Sequence, residues 1–117
     1  METVQQALGT LVARPDVAGA VLASGEGLLV AARLPDGSDA EALAALAASL
    51  LHEAGELARA GRRGAPERLL LDADGGPMIA CQLNGRGVLL VLAEPATDLG
   101  LLLFDLRHQR DALAALL

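Results

Sequence analysis

The chain has no tryptophan, no tyrosine and no lysine, and only one phenylalanine, Phe104, and one cysteine, Cys81. Each shortage excludes something. Without aromatic platforms, bases of single-stranded nucleic acid have nothing to stack on. Without lysine, and with a formal charge of −6, the surface repels phosphate backbones, so nucleic acid is not an expected partner. A single cysteine allows neither an internal disulfide nor a cysteine-rich zinc site. The N-terminal stretch lacks the basic segment, apolar core and cleavage site of a signal peptide. The longest apolar run, Ala42 to Leu51, is interrupted at Ser49 and is too short to span a bilayer. A cytoplasmic location without membrane insertion is the expectation.

What is present is abundant small and branched apolar residue. Apolar residues make up 53% of 117 and charged ones 21%, a composition that folds around one core in one domain spanning the whole chain. Val4, Ala7, Leu8, Leu11 and Val12 follow amphipathic helical spacing, and Pro15 stops that helix. Val17 to Ser24 and Leu28 to Leu34 read as two strands joined by Ser24-Gly25-Glu26-Gly27, a hairpin turn. Ser38-Asp39-Ala40-Glu41 has the form of a capping box opening a helix that runs to about Ala60, with Gly61 as its stop. At 1.5 Å per residue that helix is roughly 33 Å long. Arg68 to Ala73, Met78 to Leu83 and Val88 to Ala93 follow as strands, separated by Asp74-Gly75-Gly76 and Asn84-Gly85. Thr97 or Asp98 caps a last helix with a leucine stripe. The order αββαβββα with tight turns predicts an α+β fold, an antiparallel sheet with helices on its faces.

The middle helix points outward. At 100° per residue, Leu43, Leu46, Ala47, Leu50, Ala54 and Leu57 form one stripe, and Ala44, Ala48, Leu51, Gly55 and Ala58 widen it beyond what one sheet needs. The small residues would let a second helix approach. The expected interface between two copies therefore comprises Ala44, Ala47, Ala48, Leu51, Gly55 and Ala58. Leu69, Leu70 and Leu71 would join it if their strand lies at the sheet edge. The alternative is a helix rich in alanine merely because alanine is the best helix former. Ser49, His52, Glu53, Glu56 and Arg59 fill the polar sector and are the candidates for contacting another partner.

No catalytic, cofactor or metal constellation emerges. A phosphate-binding P-loop is missing, and Gly25-Glu26-Gly27 leads into a strand where a nucleotide loop would lead into a helix. His52 and His108 lack ligand-spaced companions, and a solvated histidine is the simpler reading. Cys81 sits in an alternating strand as a small hydrophobe with no activating base. Asp72 and Asp74 suit a turn better than an acid/base pair. Arg62-Arg63 suits helix-dipole compensation as well as it suits an arginine finger.

Gly19 to Leu28, Asp39-Ala40-Glu41, Asn84-Gly85 through Val91-Leu92-Ala93, and Asp98-Leu99-Gly100-Leu101 together resemble the roadblock/dynein-light-chain family over nearly the whole chain. The sequence departs from many relatives in its lack of aromatics and in Gly25, where a charged residue is common. The resemblance implies a profilin-like architecture: five antiparallel strands, one long helix on one face and two terminal helices on the other. It also implies a homodimer through the long helices and third strands, no enzymatic activity, and a small Ras-like GTPase as partner, as in bacterial polarity and gliding motility. A structural adaptor without a GTPase and a small-ligand sensor are the alternatives.

Overall fold

The computed structural model describes residues 2–117. Its elements are α1 (Val4–Val12), β1 (Val17–Ser24), β2 (Leu29–Arg33), α2 (Ala40–Ala60), β3 (Arg68–Leu71), β4 (Met78–Gln82), β5 (Gly87–Ala93) and α3 (Leu99–Ala114). All strand pairs are antiparallel, in the order β2-β1-β5-β4-β3, so β2 and β3 form the two edges. The predicted topology stands, and β3 does lie at an edge.

Helix starts are set by side chains that accept from free N–H groups. Thr3 and Gln6 form a reciprocal capping box on α1, a feature the sequence reading passed over. At α2 the cap is Asp39, which accepts from the Ala42 N–H at 3.0 Å; Ser38, expected in that role, instead donates to the Pro35 carbonyl. Asp98 caps α3 by accepting from the Leu101 N–H. The end of α2 also departs from expectation. Gly61 stays right-handed, and Arg62 takes the left-handed position at φ 57°, with the Arg63 N–H donating to Ala58 at 2.8 Å. In the β4–β5 turn both Asn84 and Gly85 have positive φ, as a two-residue hairpin turn demands.

Strand alternation sorts the core into two layers. Ala20, Leu22, Ile79, Leu89 and Val91 face Leu8 and Leu11 of α1 and Leu102, Leu106 and Leu113 of α3. Val21, Ala23, Ala80, Val88 and Leu90 face Ala44, Ala47 and Leu51 of α2. Two helices cover the first face and one covers the second. Ionic ties secure the two-helix side. Arg14 bridges Asp16, at 2.8 Å, and Asp105 on α3, while Glu67 ahead of β3 holds Arg107 of α3 at 2.9 Å.

Candidate binding surface between α2 and β3

The seat of α2 on the sheet is unusually close. Gly27, at φ +88°, would carry a Cβ only 3.2 Å from the Ala45 Cα and 3.3 Å from the Ala48 Cβ. Backbone thus approaches backbone at the β1–β2 turn, and only small side chains fit between. This reverses the expected assignment of the helix faces. Ala44, Ala47 and Leu51, expected against a second copy, are at most 3% exposed beneath their own sheet. Ala48, Gly55 and Ala58 lie half-buried along the same flank. Ala44, Ala47 and Ala48 serve close approach to the chain's own sheet, whereas a Cβ at Gly55 would meet only open space. The larger Leu46, Leu50 and Leu57, expected inside, point outward and are 59%, 47% and 75% exposed.

The apolar surplus of α2 therefore exists but lies on the other stripe. It continues onto the edge of the sheet. Register pairs Leu69 with Ala80 and Leu71 with Met78, which puts both leucines on the α2 side; Leu70, opposite Ile79, faces the other way. Leu69 is half-buried, whereas Leu70 and Leu71 are about half exposed. Between α2 and β3 runs a groove of about 180 Å³, lined by Leu43, Leu46, Ala47, Leu50, Leu69, Leu71, Met78, Ala80 and Leu90. Every lining side chain is apolar. Beyond it lies the unpaired edge of β3, with backbone donors and acceptors available to another strand.

Of these lining residues only Ala47, Leu69 and Leu71 belong to the interface expected from sequence. Leu43, Leu46, Leu50 and Met78 were missed because two neighbouring helical stripes were apolar and periodicity does not say which one lies down.

The polar candidates Ser49, His52, Glu53, Glu56 and Arg59 are all exposed. Arg59 donates to Glu56 at 2.8 Å and holds that carboxyl below its usual range. They form a solvated ridge, and His52, Glu56 and Arg59 border a shallow trough closed by Ala65 and Pro66. Nothing in their geometry builds a catalytic pair. Burial pushes the Cys81 thiol up to about 11, which keeps it protonated near neutrality. Among the described residues no group of three or more His, Cys, Asp or Glu side chains is placed to hold a metal. No helix among the described residues is long and apolar enough to cross a membrane.

A five-stranded antiparallel sheet with one long helix on one face and two terminal helices on the other is the pattern that the resemblance implied, and comparison with known proteins decides the matter. The Roadblock/LC7 domain profile matches residues 3–93. The chain belongs to the Roadblock/LC7 domain family. The match stops before α3. Among curated relatives, the uncharacterized protein MJ0310 of Methanocaldococcus jannaschii is 26% identical over 100 residues, spanning 86% of this chain and 87% of its own. The Roadblock/LC7 domain from Streptomyces avermitilis superposes with a TM-score of 0.85 at 24% identity, covering 96% of this chain and 95% of that one. An MglB with a tetrameric arrangement gives 0.86 at 16% identity, covering 97% and 86%. The gliding protein MglB from Thermus thermophilus gives 0.82 at 14%, covering 97% and 87%. At such identities these structures establish the shared roadblock fold.

Proposed function

We propose that this roadblock domain is a cytoplasmic, non-enzymatic platform that pairs with a second copy through α2 and β3 and, as a dimer, binds and regulates a small Ras-like GTPase. The observation that carries the reading is the groove with its exposed Leu46, Leu50 and Leu71 beside an unpaired strand edge. Burying these leucines would contribute on the order of 1 kcal/mol each, and strand pairing would satisfy the β3 edge. The tetrameric arrangement of a fold neighbour supports self-association. The GTPase is proposed from family likeness alone, with the polar ridge Ser49, His52, Glu53, Glu56 and Arg59 as the surface offered to it. The groove itself lies below the roughly 300–1,000 Å³ of small-molecule pockets and is lined by apolar side chains alone, which suits the side chains of a protein partner.

The test of the platform is the mass of the chain in solution. Leu50→Asp places a charge on an exposed position, so the fold survives while a buried seam does not. Sedimentation should show wild type at twice the chain mass at micromolar concentration and the variant at the single-chain mass. Equal masses would remove the seam. GTP turnover by a co-encoded GTPase, measured with and without the protein, tests the second half. No binding and no change in rate would leave a structural adaptor.

A further inference from the structure

The two ends of the sheet carry opposite charge. The four connections at the end where α2 and α3 begin (residues 13–16, 34–39, 72–77 and 94–98) hold seven carboxylates and one arginine, Arg14, which is ion-paired. The three connections at the opposite end (residues 25–28, 61–67 and 83–86) hold Arg62, Arg63 and Arg86 against Glu26 and Glu67. Helix capping accounts for Asp39 and Asp98, but Asp36, Asp72, Asp74 and Glu94 cap no helix and have no ion pair among the described residues. Arg62, Arg63 and Arg86 likewise have none. Among the described connections, a chain of net charge −6 thus places three unpaired arginines at one end, against an unpaired Glu26, and four unpaired, non-capping carboxylates at the other, where Arg33 at the end of β2 is also without an ion pair.

Shape matches this charge. Arg59, Arg62, Gly55, Gly64, Ala65 and Pro66 line an open trough of about 410 Å³ beside the end of α2. Arg62 occupies the left-handed backbone position that glycine fills most readily, so a cation is kept at the trough despite a conformational cost of about 1 kcal/mol. At the far end of β3, Asp72-Ala73-Asp74-Gly75 is an exposed loop of short side chains.

We propose that the arginine end of one copy receives the acidic end of another, Arg62 and Arg63 facing Asp72 and Asp74, so that copies join end to end along the strand direction. This contact uses neither the α2–β3 groove nor the β3 edge and is additional to the lateral pairing. It is heterologous: each copy offers a donor end and an acceptor end, and repetition gives a filament or a closed ring. Like ends repel, which fixes the polarity of the array. Being solvent-exposed, the contact weakens steeply with salt.

Sedimentation velocity of the full chain tests it at about 10 mM and about 1 M salt, where the Debye length falls from about 30 Å to about 3 Å. The expected result is concentration-dependent growth beyond two copies at low salt that disappears at high salt. The double variants Arg62→Glu/Arg63→Glu and Asp72→Arg/Asp74→Arg should each lose that growth while keeping the wild-type circular dichroism and melting temperature. Mixed in equal amounts they should regain it, because every junction in an alternating array then joins opposite charges. The proposal is overturned if wild type shows no salt-dependent growth, if both variants keep it, or if the mixture fails to restore it. It is overturned too if the reversals split only the two-copy species, which would assign the arginines to the lateral seam. A chain that stays single at high salt yet grows at low salt would remove the lateral seam and leave the end-to-end contact standing.

Discussion

The two faces of the sheet are built from the same strands by opposite strategies. On the α1/α3 side, large residues such as Leu8, Leu22, Ile79, Leu89 and Leu102 interdigitate and are closed to solvent. On the α2 side, alanines and valines hold one helix close against a glycine turn, and the strip over β3 and β4 is left open. One helix spans about 10 Å and five strands nearly 25 Å, so a single helix cannot roof a whole sheet. The first face supplies stability and the second has apolar area to spare.

Mutations can break that contrast. Leu22→Ala, on the sealed face, should cost about 2–5 kcal/mol, because a fully buried leucine leaves a cavity its neighbours cannot fill; chemical denaturation measures it. Leu50→Ala, on the open face, should change single-chain stability by less than about 1 kcal/mol while weakening self-association. If the two losses were alike, the faces would not differ as described. Leu51→Asp, by contrast, buries a charge under the chain's own sheet and should unfold the domain, so it says nothing about pairing.

Smaller effects sharpen the picture. Arg62→Gly should raise stability by about 0.5–1 kcal/mol by relieving the left-handed backbone, read as a higher melting temperature at high salt. A drop would show that the arginine side chain itself supports the fold. The least effect concerns acid. Hydrogen bonds from Arg14 hold the Asp16 carboxyl below its ordinary value of 3.8. A depressed folded value means that Asp16 adds stability above pH 4 and loses it as pH falls through that lower value. Asp16→Asn should therefore flatten the acid limb of the stability profile and leave the neutral limb displaced downward. An unchanged acid limb would remove Asp16 as its cause.

Much of this was legible in the residues. Glycine and asparagine at the turns, proline after α1 and the leucine spacing of the helices located every element, because those signals are local. The position of β3 at an edge followed only conditionally, and the orientation of α2 was read backwards. Leu46 and Ala47 are neighbours in sequence and sit on opposite sides of the helix's contact line. Only the close approach at Gly27, a non-local fact, decides between them. The charge separation was likewise invisible until the topology sorted the connections into two ends.

The contact at Gly27 has a mechanical consequence. Alanine against glycine backbone has no rotamer to change and no gap to close, so α2 behaves as a rod resting on an incompressible bearing. A partner pressing on Leu46 or Leu50 cannot sink the rod into the sheet. It can only tilt or slide it, and the β1–β2 turn at the opposite margin of the sheet is the first backbone obliged to follow.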